Sequence, residues 1–268
     1  MARLSMNEMT TYRWSFEEDV AQYQIAGFRA MGVWRQKLSD YGEEKGIDLL
    51  HESGMSVSSL LWAGGFTGSD GRSFRDSLED AFEAVRLTAA MSAACLVVYT
   101  GARAGHTHNH VRRLVRDALK EICSLASDLE VRLAIEPMHA GCAAEWTFLT
   151  TLDDTLALMD KVGHPSLQLV FDTYHFGYQD DVLEQVERLA PRIAVVHLGD
   201  GKEPPQKEQN RCRLGEGNIR LTEIVAALVR GGYDGDYEVE LMGEDIETAC
   251  YKSLLDQSMR AYMALVSA

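Results

Sequence analysis

The chain has 268 residues, 46% hydrophobic and 25% charged, with a formal net charge of −15 and a pI near 4.9. So acidic a surface repels phosphate backbones and anionic lipid heads, so neither nucleic acid nor a membrane is expected as a partner. The five cysteines, Cys95, Cys123, Cys142, Cys212 and Cys250, are widely spaced and form no C-x-x-C pair. They fit reduced thiols in a cytoplasmic protein better than a disulfide framework or a thiolate zinc site. The first residues have no signal-peptide core, and no run of about 18 apolar residues occurs, so export and membrane insertion are not expected.

Short apolar segments alternate with amphipathic ones along the chain. Strands are predicted near 4–11, 28–34, 55–61, 94–99, 131–136, 167–172, 192–197 and 236–241. Helices are predicted over 15–26, 40–52, 74–87, 110–129, 151–161, 181–189, 220–230 and 247–266. Ser73 is a candidate N-cap for the third of these. Lys202 to Arg213, rich in Pro, Gln, Glu and Lys, reads as a long polar loop. Parallel neighbours need crossover connections, and eight βα units in about 250 residues favour closure into a single-domain (β/α)₈ TIM barrel spanning 1–268. The first two units carry the weakest pattern.

Four of the strands end on a side chain that an apolar strand has no structural use for. They are Leu133-Ala-Ile-Glu136, Leu169-Val-Phe-Asp172, Ala194-Val-Val-His197 and Tyr237-Glu-Val-Glu240. Pro137 cannot donate to a central ladder, so that strand should stop at Glu136. Each position also has a bland reading: a carboxylate pairing with an Arg or helix start for Glu136, an Asx turn for Asp172, a packed core histidine for His197. Glu238 and Glu240 lie two apart, on one strand face, and Glu240 is the nearer to the strand end. Barrel active sites lie at the C-terminal ends of the strands, and all four residues fall there in strands five to eight. Three carboxylates and an imidazole suit one divalent ion: Mn²⁺ first, with Mg²⁺, Co²⁺ or Zn²⁺ as alternatives. His175 follows Asp172 by three residues and is placed to reach substrate or to support a ligand.

These motifs, I-E-P at Ile135 to Pro137, F-D-T-Y-H at Phe171 to His175, V-H-L-G-D at Val196 to Asp200, L-G-E-G at Leu214 to Gly217 and E-V-E-L at Glu238 to Leu241, resemble the xylose isomerase-like TIM-barrel superfamily. That superfamily holds sugar isomerases and epimerases, inosose dehydratases and AP endonuclease barrels. The resemblance covers roughly residues 75–268; residues 1–70 match it only in βα rhythm. It implies that Glu136, Asp172, His197 and Glu240 bind one divalent metal, that Glu136 and Glu240 act as acid and base, and that His175 contacts substrate oxygens. It also implies a homodimer or homotetramer.

The activity expected is isomerisation or epimerisation of a keto sugar or keto polyol through a metal-stabilised enediolate. A lyase, dehydratase or hydrolase using the same site on a keto-inositol or oxidised glycoside is the alternative. Phosphodiester cleavage of the endonuclease type fits the acidic charge poorly, and a non-catalytic sugar-binding barrel fits the intact ligand set poorly. For substrate contacts the sequence offers Trp62 and Trp34 as aromatic platforms at strand tips, His108 between His106 and His110, and Arg213 beside Arg211. Trp146 sits in a loop able to close over the site.

Overall fold

The computed structural model describes residues 3–206 and 209–267. Lys207 and Glu208 of the predicted polar loop lie outside the described residues, as do Met1, Ala2 and Ala268. Eight parallel strands close into a barrel in chain order: β1 Leu4–Asn7, β2 Ala30–Trp34, β3 Ser56–Gly64, β4 Leu96–Tyr99, β5 Leu133–Ile135, β6 Leu167–Asp172, β7 Ile193–Leu198 and β8 Asp236–Val239. β8 pairs with β1, which closes the ring. Among the described residues, no helix is long and apolar enough to cross a membrane.

The helices that cover the barrel follow the predicted rhythm, with physical differences at several ends. The predicted 40–52 helix is two, α1 having run from Phe16–Ile25: α2 Arg35–Tyr41 and α3 Glu43–Ser53. Gly42, at φ 106°, breaks the chain between them, a conformation that only glycine adopts without strain. α4 Phe74–Ala90 opens with a full capping box, Ser73 accepting from the Asp76 amide while the Asp76 side chain reaches back. α5 His108–Asp128 starts two residues earlier than predicted because Thr107 caps it. α6 Leu152–Val162 leads to β6, and a single turn, α7 Thr173–Phe176, follows that strand. α8 Val182–Leu189 and α9 Leu221–Arg230 flank β7 and its long loop. The predicted last helix is divided into α10 Glu244–Glu247 and α11 Tyr251–Ser267. The first strand is shorter than 4–11, since Glu8 to Thr11 turn out of the sheet.

Two layers of apolar side chains follow from the period of two along each strand. Leu133, Ile135, Leu169, Phe171, Val196 and Val239 point outward and join the helices in the main core. Ala134, Val170 and Val195, with Leu61, Cys95, Val97 and Ala194, form a separate small cluster within the barrel. The inner set fixes the height of the next inward residues on β5, β6 and β7, which are Glu136, Asp172 and His197. Replacing the fully buried Leu169 with alanine is expected to lower stability by about 2–5 kcal/mol. Chemical denaturation, with the slope against denaturant unchanged, checks this.

Candidate metal centre

The strand ends bring four predicted residues to one point. Glu136, Asp172, His197 and Glu240 each offer a ligand atom, and these atoms all lie within 4.8 Å of one another. All four side chains are buried, at 0–3% exposure. His197 Nδ1 lies 3.3 Å from Glu136 Oε1 and 3.1 Å from Glu240 Oε2. Asp172 Oδ2, His197 Nδ1 and Glu240 Oε2 are buried and, among the described residues, are met by ion-pair contacts and by no well-aligned hydrogen bond, although buried polar atoms are nearly always hydrogen-bonded. Among the described residues this is the one group of three or more His, Cys, Asp or Glu side chains close enough to share an ion. The donors are oxygen-rich with a single imidazole, and they fit a divalent cation.

The electrostatics lead to the same fit. Burial raises the pKa of Glu136, and Glu240 and Asp172 add to the rise, while His197 opposes it. Burial would also raise Glu240, but Arg211 and His197 outweigh it and hold that carboxyl at about 2. Burial opposes charge on His197, yet Glu240 and Glu136 lift its pKa well above the ordinary value. Arg211 is the one guanidinium placed against the group: Nη2 sits 2.9 Å from Asp172 Oδ2 and Nη1 3.3 Å from Glu240 Oε2. Its plane lies over the Tyr174 ring at 4.8 Å, and it donates to Gln209 Oε1 and to the Glu240 carbonyl.

His175 is buried on α7, with Nδ1 3.5 Å from Cys142 Sγ and Nε2 3.9 Å from Asp172 Oδ2. Burial pulls its pKa down to about 4, against the pull of Asp172, so the ring is neutral at neutral pH. Asp200 does not touch His197. Its carboxylate accepts from the amides of Gly201, Gly215, Gly217 and Ile219. The L-G-E-G motif is thereby explained as a loop wrapped on one aspartate: a Cβ on Gly217 would lie 2.1 Å from Asp200 Oδ1.

The remaining sequence candidates are placed differently. Arg213 is half-buried, with its guanidinium 3.5 Å from Ser253 Oγ, and the arginine that touches the four-residue group is Arg211. The two were indistinguishable in an irregular loop; only the Tyr174 ring and Asp172 select one of them. His108 is exposed in the first turn of α5, with Nε2 3.4 Å from Arg103, because the cap at Thr107 begins the helix there. The His106 and His110 rings pack at a tilt of 53°, with centroids 4.8 Å apart. Trp62 is half-buried near the end of β3 and packs on Trp146 at 5.5 Å. With Trp34 and Tyr99, these two indoles line a cavity of about 360 Å³. A larger cleft of about 730 Å³, bordered by Tyr174, Lys202, Glu203, Glu244 and Asp245, reaches Arg211.

A closed parallel (β/α)₈ barrel with a buried carboxylate–imidazole group at the C-terminal strand ends defines a barrel of the metal-site type. The chain belongs to the xylose isomerase-like TIM-barrel family, whose model matches residues 20–260. It is 27% identical over 130 residues to a ketose 3-epimerase of Arthrobacter globiformis, a match covering 48% of this chain and 41% of that protein. The match thus spans under half the length of that relative. Among solved structures it superposes on protein SMc04130 of Sinorhizobium meliloti with a TM-score of 0.90 and 25% identity, covering 98% of each chain. It superposes on the IolI protein with a bound zinc atom with a TM-score of 0.85 and 17% identity, covering 99% of this chain and 98% of that one.

The raised pKa of His197 has a consequence for ion binding. Its ring nitrogens hold protons at neutral pH when no cation is present, so a cation must displace one. Divalent-ion affinity is therefore expected to rise with pH, with a proton released on binding. Titration calorimetry in buffers of different ionisation enthalpy checks it; affinity independent of pH and no proton release would contradict it.

Proposed function

We propose that the protein is a divalent-metal-dependent isomerase or epimerase acting on a keto sugar or keto polyol, a small-molecule carbohydrate. The observation that carries this reading is the pair of buried carboxylates at the ends of β5 and β8. They flank the same His197 nitrogen, at 3.3 Å for Glu136 and 3.1 Å for Glu240. Family membership and the similarity to a ketose 3-epimerase support it.

Glu136, Asp172, His197 and Glu240 would hold the ion, with Mn²⁺ the first choice and Mg²⁺, Co²⁺ or Zn²⁺ the alternatives. When bound, the ion supplies Lewis acidity that lowers the cost of negative charge on the substrate's carbonyl and adjacent hydroxyl oxygens. Of the two carboxylates, one removes the proton α to the carbonyl and the other returns a proton to the opposite face, which inverts the centre. Their environments are already unlike, Glu240 held ionised by Arg211 and Glu136 raised by burial, and an acid and a base need that difference. Neutral His175, with an unpartnered Nε2, donates or accepts at a substrate hydroxyl. Arg211 keeps Asp172 and Glu240 oriented. The aromatic wall of Trp62 and Trp146 offers an apolar face for the sugar carbons.

The test is to incubate the Mn²⁺-loaded protein with a panel of ketohexoses and ketopentoses, free and phosphorylated, in D₂O and to follow the α-carbon by NMR. Deuterium is expected at a single carbon, with the epimer or aldose appearing at a comparable rate. Glu136→Gln and Glu240→Gln are each expected to lower the rate by about 10²–10⁴-fold. Product without solvent deuterium, or exchange unaffected in both variants, would overturn the reading.

A further inference from the structure

Two residues before each metal-group side chain, the period of two places another inward side chain one layer deeper. These are Ala134 on β5, Val170 on β6, Val195 on β7 and Glu238 on β8. Three belong to the dry inner cluster. The fourth is a carboxylate with 0% exposure. A buried carboxylate is costly unless hydrogen-bonded, and the facing strands supply the donors. Asn7 Nδ2 on β1 donates to Oε1 at 2.6 Å. Ser59 Oγ on β3 reaches Oε1 at 3.0 Å and Oε2 at 2.9 Å, and Ser58 Oγ also donates to Oε2. On β2, Gly32 leaves the room: a Cβ there would stand 2.2 Å from Oε1. Three strands thus accommodate one side chain, where an aliphatic residue would have needed none of these partners.

What Glu238 faces gives it a use. Oε1 lies 3.6 Å from Nε2 of His197, and that buried nitrogen makes no hydrogen bond among the described residues. The distance is an ion-pair distance, somewhat longer than the about 3 Å of a hydrogen bond. The other ring nitrogen, Nδ1, is the one that faces Glu136 and Glu240.

We propose that Glu238 is a positioning residue for His197: by drawing the proton to Nε2 it sets the tautomer and the ring orientation that turn Nδ1 toward the four-residue group. The proposal rests on the reading of that group as a metal site. A ligating histidine needs its second nitrogen held, and such supporting partners are worth about 10- to 100-fold in metal affinity. Asn7, Ser58 and Ser59 in turn fix the carboxylate, so the ring is set by β8 and β1 and β3 together.

The experiment uses ¹⁵N-histidine-labelled protein and Zn²⁺, which is diamagnetic. In the loaded wild type, His197 is expected to carry its proton on Nε2 and to show a metal shift at Nδ1. A proton on Nδ1, or metal at Nε2, overturns the proposal. In Glu238→Gln, which keeps the volume, Zn²⁺ affinity measured by competition with a chromophoric chelator should fall about 10- to 100-fold while the circular dichroism spectrum stays that of the wild type. Affinity within twofold of the wild type in a folded variant overturns it. A wild type that binds no Zn²⁺ contradicts the metal reading instead. The metal-free spectrum, taken at a pH where the ring has lost one of its two protons, then decides on Glu238 alone: the remaining proton must sit on Nε2, and an unprotonated Nε2 overturns the proposal. That measurement needs no variant, so misfolding of Glu238→Gln leaves the decision intact.

Discussion

Three carboxylates sit within a few ångströms of one another in a dry barrel mouth, and one guanidinium answers them. Glu136, Asp172 and Glu240 are at most 3% exposed, and Arg211 is the arginine that touches them. Three negative charges against one guanidinium leave an excess of negative charge that a divalent cation would offset, and Glu238 one layer deeper lies against the same histidine. Burying unpaired like charges is among the most expensive things a protein does. The arrangement is stable only if an ion, or protons in its place, closes the account. The raised pKa values of Glu136 and His197 are what that imbalance looks like without the ion.

Much of the surrounding structure serves to keep these groups in place. The inner apolar layer of Ala134, Val170 and Val195 supports the ligands from below, and Glu238 takes the fourth position in that layer. Tyr174 stacks under Arg211 and its hydroxyl accepts from the Asn210 amide, which ties the long polar loop to the site. Asp200 gathers the following loop through four amides. One turn of helix after β6 carries His175 into the same space. The loops that would meet substrate are therefore anchored on the same short stretch of chain that supplies the ligands.

The second half of the barrel was legible because its strands are largely apolar runs that stop on a ligand-type residue, so Glu136, Asp172 and His197 stood out against their own strands. The first units were placed by their βα rhythm on a weaker pattern, and the reason is physical. β1 and β3 contribute Ser5, Asn7, Ser58 and Ser59 to the interior, where Asn7, Ser58 and Ser59 bond Glu238 and Ser5 bonds Ser58, and so they lack the apolar signature of buried strands. Just beyond β1, Lys37 pairs with Asp19 and caps the carbonyls of Glu8 and Thr11, while Glu8 accepts from the Trp34 amide. That charged network reads as surface in a sequence. Glu238 was visible as a second inward glutamate on β8, but its depth depends on the space left by Gly32, across the barrel and 206 positions away by numbering. Arg211 and Arg213 lie in the same polar loop, and nothing local tells them apart.

The most direct measurement is an anomalous difference map from crystals grown with Mn²⁺. The expected result is a single strong peak per chain within ligand distance of Glu136, Asp172, Glu240 and the Nδ1 atom of His197, absent in Asp172→Asn. Crystals of the folded wild type with no peak there, or with the ion bound elsewhere and the four side chains unchanged, would contradict the metal centre and the chemistry built on it.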